Sequence, residues 1–311
     1  MKDKIIEEIN KANKILILAH EKPDGDAVGS SFAMYHILKN INKDVDISLL
    51  EVPTQYNYLK DFKEINDLPS KKYDLCIVLD CASKERIAIR DYLLPDIIIN
   101  IDHHHTNSNY GILNYIESDY SSCAEVLYYL FKDTYEINQT IGECLLTGIL
   151  TDTGGFSNDN VSTKTLDMVK ELINLGVDFH KVFYNAVSKQ SKEQFELFNI
   201  ARERLVFYNN GTIAYTYITK EDTERLNCVP GDHEGIVDIG RNIDGVEVSV
   251  FIHEDDGYRV SLRSNGKVDV SKIASLFNGG GHKMAAGCIL TGNFKETKEE
   301  LIDEIIKRVN E

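Results

Sequence analysis

The sequence predicts an α/β protein, with a parallel β-sheet flanked by helices in a first domain and a smaller α+β domain after it. Over the first two-thirds of the 311 residues, short β-branched apolar runs alternate with helix-like segments. Runs that are apolar along their whole length are typical of parallel strands covered on both faces. Beyond about residue 206 the pattern changes to strands of alternating polarity around a glycine-rich turn. A chain of this length suits two domains, each with its own core.

Four buried strands are predicted in the first domain: Lys14–His20, Asp44–Glu51, Tyr73–Asp80 and Asp96–His103. Helix-favouring segments lie between and after these strands: Asp26–Asn40, Lys84–Tyr92, Ser122–Phe131, Thr140–Leu150 and Ser162–Leu175. Because strands and helices alternate, we expect an open parallel sheet. Sheets of this kind bind ligands in the crevice beyond the carboxyl ends of their strands.

A helical linker is predicted next, because the stretch Phe179–Val206 is charged and contains no proline or glycine. We therefore place the catalytic domain at 1–185, the linker at 186–206 and the second domain at 207–311. The strands predicted in the second domain are Gly211–Thr219, Val246–His253, Tyr258–Arg263 and Ala286–Thr291. An amphipathic helix over Lys295–Val309 follows them.

Composition and charge exclude several classes of protein. With 42% hydrophobic and 27% charged residues, the chain has the composition of an ordinary globular protein. No apolar stretch approaches the roughly 20 residues of a membrane span, and acidic residues interrupt the N-terminal segment, unlike a signal peptide. We therefore expect a cytoplasmic protein without a membrane partner.

The net charge of −16 also limits the ligands that we expect. It opposes binding of long duplex nucleic acid, which needs many Lys and Arg residues to neutralise phosphates. A short phosphorylated substrate held by metal ions is still compatible with it. The six cysteines form no CxxC pair and most lie in apolar runs, which predicts reduced, buried thiols.

A polar turn follows the first predicted strand. In the segment His20-Glu-Lys-Pro-Asp24-Gly-Asp26, Pro23 and Gly25 enforce a turn that can present both carboxylates near the histidine. Imidazole nitrogens and hard carboxylate oxygens suit a divalent ion such as Mn²⁺ better than zinc. Taken alone, the segment is explained equally well by Asp26 capping the next helix.

Further acids and histidines stand at the ends of later elements. Asp80 ends the third strand, Asp102-His103-His104 ends the fourth, and Asp152 lies in a glycine-rich turn after a helix. Carboxylates gathered in one crevice raise one another's pKa values unless cations neutralise them. A site with two divalent cations bridged by Asp80 removes this conflict and activates a nucleophile for in-line attack on a phosphoester. A purely structural polar network is the alternative.

Together these four motifs resemble those of the DHH phosphoesterase superfamily, which includes RecJ exonucleases, family II inorganic pyrophosphatases and NrnA-type oligoribonucleases. They occur in the expected order between about residues 14 and 160. The resemblance implies two divalent cations, with Mn²⁺ as the first choice and Mg²⁺ or Co²⁺ as alternatives. The implied ligands are His20, Asp24 and Asp80 for one ion, and Asp26, Asp80, His103 and Asp152 for the other.

The resemblance also implies a set of catalytic residues: Asp80, His103, His104 and Asp102. His104 is then the member that faces the substrate phosphate. His105 lies beyond the motif, where a surface role is as good an explanation as a catalytic one. Arg86 is a candidate substrate contact, with a surface salt bridge as the alternative. The N–H groups of Gly29-Ser30-Ser31 could bind phosphate or simply begin a helix.

A second group of candidate residues lies near the C terminus, in Ser261-Leu-Arg263-Ser264 and Asn278-Gly279-Gly280-Gly281-His282. Consecutive glycines permit positive φ and leave backbone N–H groups open to an anion. An arginine adds a bidentate fork for phosphate. Considered alone, the glycines favour a flexible hairpin.

In combination, these residues resemble the substrate-binding domain associated with DHH domains. The resemblance implies that Arg263, Ser264, Gly279, Gly280, Gly281 and His282 contact the nucleotide and its terminal phosphate. Members of that family usually carry four glycines before the histidine, whereas this chain has Asn278 at the first position. The departure affects only the fine geometry of the turn.

The second domain distinguishes among the DHH enzymes. Family II pyrophosphatases carry a different second domain, RecJ nucleases carry an added nucleic-acid-binding domain, and membrane-bound cyclic-dinucleotide phosphodiesterases carry transmembrane segments. The compact NrnA-like group remains, and it resembles this chain over its whole length. The resemblance implies degradation of RNA oligonucleotides of two to about five nucleotides to mononucleotides, and removal of the 3′-phosphate from adenosine 3′,5′-bisphosphate (pAp).

Two other functions stay open at this point. A soluble phosphodiesterase for linear or cyclic dinucleotides, acting in the turnover of cyclic di-AMP and pApA, would use the same residues. A nucleotide-binding protein without activity is the other alternative, although every expected ligand is present. A homodimer is implied by the resemblance alone, since no sequence feature demonstrates it.

Overall fold

The computed structural model describes residues 1–66, 72–87, 89, 94–229, 231–255 and 257–311. These residues form two compact units, Met1–Lys189 (unit 1) and Gln190–Glu311 (unit 2). Unit 1 contains a parallel sheet flanked by helices, and unit 2 contains a mixed sheet with helices. The predicted fold class is therefore confirmed.

Unit 1 contains six helices and six strands among its described residues. In chain order they are α1 (Lys2–Lys11), β1 (Lys14–Leu18), α2 (Gly25–Asn40), β2 (Asp44–Ser48), β3 (Ile65–Asn66), β4 (Leu75–Leu79), β5 (Ile98–Asp102), β6 (Leu113–Ile116), α3 (Cys123–Phe131), α4 (Gln139–Asp152), α5 (Thr163–Asn174) and α6 (Phe179–Phe183). Short 3₁₀ turns occur at Thr54–Tyr56, Phe62–Glu64 and Lys84–Arg86, and a π-helical turn at Tyr184–Ser188.

The strand order of the first sheet determines where a ligand can bind. The order is β3-β2-β1-β4-β5-β6, and every neighbouring pair is parallel. The chain leaves β1 toward β2 on one side and later returns to β4 on the other side of β1. The carboxyl ends of β1 and β4 are therefore a topological switch point, the place where open α/β sheets bind ligands.

One predicted helix is wrong in the part that the structure describes. Instead of a helix over Lys84–Tyr92, a single 3₁₀ turn ends at Arg86, and Ile87 is extended and forms an antiparallel bridge with His20. The backbone N–H of Glu21 also donates to the carbonyl of Arg86 at 2.8 Å, which holds this strand-like contact in place. Residues 88 and 90–92 lie outside the described residues.

Close packing of α2 against α4 depends on glycine. A Cβ atom on Gly29 would lie 2.5 Å from the carbonyl oxygen of Cys144, and one on Gly148 would lie 2.5 Å from Asp26 Oδ1. Only glycine lets the two backbones approach this closely. Gly29, Ser30 and Ser31 are consequently buried inside this helix pair, so they offer no open N–H groups to a phosphate.

Unit 2 begins within the stretch that was predicted as a linker. Its elements are α7 (Lys192–Glu203), β7 (Val206–Tyr208), β8 (Ile213–Ile218), α8 (Lys220–Leu226), α9 (Ile236–Arg241), β9 (Val248–Glu254), β10 (Tyr258–Ser264), α10 (Val270–Leu276), β11 (Gly280–Gly281), β12 (Ala285–Leu290) and α11 (Phe294–Asn310). The sheet order is β11-β12-β10-β9-β8-β7, with only β8 and β9 parallel among these described strands.

Helix α7 is part of the core of unit 2 rather than a free connection. Leu197, Phe198 and Ala201 are buried in one cluster with Ile236 of α9 and Phe251 of β9.

All six cysteines are free thiols, and only Cys228 is not fully buried. Among the helices that the structure describes, none is both long and apolar enough to cross a bilayer.

Candidate metal and phosphoester site

The loops after β1, β4 and β5 and the end of α4 bring acids and histidines together at the switch point. Three groups have ligand atoms that all lie within 4.8 Å of one another, and one of them, Asp80, Asp102, His103 and His104, shares a residue with each of the other two. Of these two, the first group consists of His20, Asp24 and Asp80, and the second of Asp26, His103 and Asp152. Residues far apart in sequence thus converge into adjacent clusters.

Asp80 lies between the two groups. It follows β4 in the left-handed region, with φ of 51°, and its side chain is buried. Oδ1 lies 3.7 Å from His103 Nε2, and Oδ2 lies 3.8 Å from His20 Nε2. Oδ1 has no hydrogen-bond partner among the described residues. A buried carboxylate oxygen without a donor, held by an uncommon backbone conformation, indicates a place for a cation.

The histidine rings present their Nε2 atoms to these carboxylates. His20 Nδ1 lies 2.8 Å from the carbonyl oxygen of Glu21, and His103 Nδ1 lies 3.4 Å from that of Tyr120. A carbonyl can only accept, so each Nδ1 is the donor in this contact and Nε2 is the ring atom that faces the carboxylates. His103 Nε2 also lies 3.7 Å from Asp152 Oδ2. This tautomer is the one that a metal-binding histidine with a carbonyl partner adopts.

Asp24 and Asp26 both cap helices, but not in the way that the sequence-based alternative gave, in which Asp26 caps α2. Asp24, rather than Asp26, caps α2, with Oδ1 accepting from the N–H groups of Asp26 and Ala27 at 3.0 and 3.1 Å. Asp26 instead accepts from Cys123 and Ala124, at the start of α3, at 2.6 and 3.0 Å. Both acids therefore stabilise a helix N terminus and still lie in the groups that could bind metal ions, called the metal-binding groups below.

The carboxyl groups do not all ionise readily at neutral pH without a cation. Burial and the charge of Asp80 raise the pKa of Asp26 to about 8. Burial and the charge of Asp24 raise the pKa of Asp80 to about 7. Burial and the charge of Asp26 raise the pKa of Asp152 well above its ordinary value. Oxygen-rich ligands with two histidine nitrogens fit divalent cations of the Mn²⁺ type, which would relieve this repulsion.

Asp102 is engaged differently from the other acids. Oδ1 accepts from the backbone N–H of His103 and from His104 Nδ1, both at 2.8 Å. Burial alone would raise the pKa of Asp102, but the hydrogen bonds from His104 and Asn107 lower it below its ordinary value. Burial opposes protonation of His104, yet the hydrogen bond to Asp102 and the charge of Asp80 raise its pKa. Asp102 therefore orients the ring of His104 and holds the backbone of His103.

Sequence reasoning missed the amides behind this pair. Asn107 Nδ2 donates to Asp102 Oδ2 at 2.6 Å and to Asn100 Oδ1 at 2.8 Å. Asn100 Nδ2 in turn donates to the carbonyls of Val78 and Cys81, on either side of Asp80, at 3.2 and 3.3 Å. The network ties the end of β4 to the end of β5. Single asparagines belong to no recognisable sequence motif. The position of Asn107 close to the histidines was therefore the one sequence signal of this network.

Two neighbouring candidates lie on the exposed side of the loops. Arg86 is exposed, and its carbonyl is bonded to Glu21, the residue after His20. His105 is exposed as well. The structure thus places Arg86 beside the first metal-binding group, while His105 belongs to none of the groups found among the described residues.

The glycine-rich segment of unit 2 forms a hairpin. Gly280 and Gly281 pair with Gly287 and Ala286, and His282 and Ala285 close the turn through backbone hydrogen bonds of 2.7 and 3.2 Å. Gly280 and Gly281 are exposed, and a Cβ on Gly280 would meet open space. This exposed backbone is compatible with approach of an anion.

The other predicted substrate residues flank this hairpin. A Cβ on Gly279 would lie 2.1 Å from the carbonyl oxygen of Gly287, so this glycine is needed for packing against β12. Asn278 has φ of 56°, a conformation that asparagine tolerates better than most residues, which explains how it replaces glycine here. Exposed His282 lies in the turn itself.

Arg263 and Ser264 end strand β10 beside the same hairpin. Arg263 pairs with Ala285 across the strands, and its Nε lies 3.9 Å from Asp238 Oδ1. Burial lowers the pKa of Arg263, although the charge of Asp238 opposes this effect. The hydroxyl of Ser264 is fully buried and donates to Glu247 at 2.9 Å, so it supports the turn instead of facing solvent.

The fold and the site have the features of a class of protein, the two-domain phosphoesterases whose α/β unit can hold metal ions. Comparison with known families agrees with it. The model for the DHH family, N-terminal domain, matches residues 14–149, and the model for the DHHA1 domain matches residues 210–311. The chain belongs to the DHH phosphoesterase family, and it is a hydrolase acting on phosphoester bonds.

Individual relatives make the likeness more specific. The chain is 30% identical over 294 residues to the bifunctional oligoribonuclease and PAP phosphatase NrnA of Bacillus subtilis, covering 92% of each chain. A crystal structure of an exopolyphosphatase-related protein from Bacteroides fragilis has a TM-score of 0.90 at 28% identity, covering 100% of this chain and 97% of that one. Exonuclease RecJ bound to manganese shares the fold, with a TM-score of 0.55 at 11% identity, covering 99% of this chain and 93% of RecJ.

Proposed function

We propose that this protein hydrolyses RNA oligonucleotides of two to about five nucleotides to mononucleotides and removes the 3′-phosphate from pAp, with two divalent cations as cofactors. The observation that carries the proposal is the convergence of two ligand groups on Asp80, whose Oδ1 is buried without a hydrogen-bond donor in the described part of the chain. The substrates come from likeness to the Bacillus subtilis oligoribonuclease and PAP phosphatase.

Six side chains have a proposed role in holding the cations. His20, Asp24 and Asp80 would hold one cation, and Asp26, Asp80, His103 and Asp152 the other. Mn²⁺ is the proposed ion, which the manganese in the related fold of RecJ supports, with Mg²⁺ or Co²⁺ as alternatives. Bound in this way, the cations would supply a nucleophile at neutral pH and would stabilise charge on the phosphoryl oxygens.

His104 is proposed to contact the substrate phosphate directly. Its Nδ1 is committed to Asp102 at 2.8 Å, so Nε2 is the atom left for the substrate. A protonated His104 would donate a hydrogen bond from Nε2 to a phosphoryl oxygen as negative charge develops there. The raised pKa of His104 supports that protonated state.

Residues of unit 2 are proposed to anchor the end of the substrate. Arg263 would form paired hydrogen bonds with the terminal phosphate. The backbone of Gly280 and Gly281 and the side chain of His282 would add donors, which their exposure supports. Anchoring one end of the chain favours short substrates. Arg86, exposed beside the His20 loop, is proposed as a further phosphate contact.

Parallel assays test the proposal. Turnover of pAp, pApA, a pentanucleotide RNA, cyclic di-AMP and pyrophosphate is measured with Mn²⁺, with Asp80→Ala as the blank. We expect rapid release of mononucleotide from pApA and the RNA, release of phosphate from pAp, and loss of all three activities in the variant. Much faster cleavage of pyrophosphate or cyclic di-AMP would contradict the proposed substrates and leave the metal site standing.

A further inference from the structure

A short segment before and at the start of α3 contacts ligands of the second metal-binding group. The carbonyl of Tyr120 lies 3.4 Å from His103 Nδ1 and so fixes the orientation of that ring. The N–H groups of Cys123 and Ala124 donate to Asp26 at 2.6 and 3.0 Å. Two of the three residues in the group are thus held directly by residues 120–124.

The same segment reaches the third ligand through Asn160. The side-chain amide of Asn160 donates to the carbonyl of Ser121 at 2.9 Å. It also lies 3.2 Å from the carbonyl oxygen of Asp152 and 3.4 Å from Asp152 Oδ2. Asn160 therefore connects residues 120–124 to the carboxylate at the end of α4.

The buried side chain of Glu125 holds residues 120–124 in place through hydrogen bonds. Its side chain is fully buried, and Oε2 accepts from the N–H and the hydroxyl of Ser121 at 2.9 and 2.5 Å. Thr165 of α5 donates to the same oxygen at 2.9 Å. Burial of a carboxylate is costly unless hydrogen bonds compensate for it, and the three bonds to Oε2 supply such compensation. Here they join α3, α5 and the loop that holds the ligands.

We propose that Glu125 and Asn160 are positioning residues for the second cation, and that they act through residues 120–124. Neither residue belongs to a metal-binding group among the described residues. The proposal rests on the two-cation site proposed above. Its consequence is selective: loss of either residue weakens binding of the second ion, because Asp26, His103 and Asp152 lose their common support, whereas the group of His20, Asp24 and Asp80 is unaffected.

Titration of the metal-free protein with Mn²⁺ tests this selectivity. Isothermal calorimetry, together with the electron paramagnetic resonance signal of free Mn²⁺, gives the number and affinity of bound ions. We expect two ions in the wild type. In Asn160→Ala, one ion should bind as in the wild type and the other at least about 10-fold more weakly.

A neighbouring asparagine provides the matched control. The amide of Asn158 donates to the carbonyl of Asp152 at 3.1 Å and, like Asn160, lies in the loop after α4. Among the described residues, no hydrogen bond joins Asn158 to Ser121 or to the carboxylate of Asp152, so Asn158→Ala should bind both ions as the wild type does. Unchanged affinity for both ions in Asn160→Ala, or equal weakening of both, would overturn the proposal.

Two variants of Glu125 test the second residue. Glu125→Gln keeps an oxygen for the three donors and should retain the second ion, whereas Glu125→Ala should weaken it. Equal affinities in these two variants would overturn the role of Glu125. Ion binding and hydrolysis of pApA by the wild type distinguish a failure of this inference from a failure of the proposed function. Binding of two ions without hydrolysis of pApA would contradict only the function, whereas binding of fewer than two would overturn the site on which both rest.

Discussion

At the scale of single residues, the site is built from acidic groups whose negative charges repel one another unless a cation lies between them. Asp80 is buried, lacks a donor for Oδ1 among the described residues, and has a raised pKa together with Asp26 and Asp152. Natural proteins keep such arrangements at functional sites. The stability of the metal-free protein should therefore depend on pH in a characteristic way.

We expect the metal-free protein to lose stability as the pH rises from about 5 to about 8. A carboxyl group with a raised pKa in the folded state binds more protons when folded than when unfolded, so its favourable contribution disappears as the pH passes through the folded pKa. The raised pKa values, about 7 for Asp80 and about 8 for Asp26, place the loss in this range. Urea unfolding in EDTA should show a decrease of at least about 1 kcal/mol.

Asp80→Asn provides the control for this pH dependence. The amide removes one charge from the cluster, so the decrease in unfolding free energy should become smaller. Addition of Mn²⁺ should stabilise the wild type but not the variant, since ligands that bind the folded state raise its stability. A metal-free wild type whose stability rises over this pH range would contradict the account of the carboxyl groups.

A second prediction concerns Asp102, which orients His104 and is hydrogen-bonded on both oxygens. In Asp102→Asn, the new NH₂ group replaces one of the two accepting oxygens and faces a donor, either that of His104 or that of Asn107. Because two donors cannot bond each other, the ring of His104 loses its fixed orientation. We expect kcat on pApA to fall about 100-fold, while the two Mn²⁺ affinities stay near the wild-type values. His105→Ala, an exposed neighbour, is the control and should change kcat little. Equal loss in both variants would argue against the role of Asp102.

At the scale of secondary-structure elements, the crossing of α2 and α4 decides where two of the ligands lie. Asp26 is in the first turn of α2, and Asp152 is the last residue of α4. The two helices can bring these residues together only because Gly29 and Gly148 leave room for close backbone contact. The proposed metal site thus depends on residues that offer no ligand atom.

Gly148→Ala tests this dependence. The new Cβ would lie 2.5 Å from Asp26 Oδ1 and 2.7 Å from Ala124 Cβ, so the helices must separate. We expect a loss of about 1–3 kcal/mol in unfolding free energy and weaker Mn²⁺ binding, measured by urea unfolding and calorimetry. Gly142→Ala on the same helix meets a side-chain methyl of Val177 instead, and should leave Mn²⁺ binding intact. Unchanged Mn²⁺ affinity in Gly148→Ala would contradict the prediction.

At the scale of the whole molecule, the proposed function assigns different roles to the two units. Unit 1 supplies the metal-binding residues, and unit 2 supplies Arg263 and the glycine hairpin. Substitutions in unit 2 should therefore alter recognition of oligonucleotides without altering the chemistry. The homodimer and the cytoplasmic location stay predictions.

Arg263→Ala should raise KM for pApA at least about 10-fold. Hydrolysis of bis(p-nitrophenyl) phosphate, a small diester without a terminal phosphate to anchor, should be unchanged with Mn²⁺. Arg259→Ala is the matched control, because Arg259 lies on the same strand and its side chain, 53% exposed, pairs with Asp255. If both substrates lost activity equally in Arg263→Ala, the separate anchoring role would be refuted.

The sequence by itself determined the class of fold, the order of the strands and helices near the site, and the metal-binding candidates. These features are local: apolar runs reveal buried strands, and acids at strand ends are visible one by one. The helix predicted from sequence over Lys84–Tyr92 was wrong, because pairing of Ile87 with His20 overrides local helix propensity. The sequence also contained no sign that α7 would pack into the core of unit 2.

Only the tertiary structure decided which partner each polar group has. Asp26 caps α3 rather than its own helix, through a hydrogen bond between residues 97 positions apart. The support from Asn107, Glu125 and Asn160 is equally invisible in the sequence, apart from the capping-box spacing of Ser122 and Glu125. Spacing along a chain fixes only near neighbours, whereas these bonds depend on how α2, α3 and α4 pack.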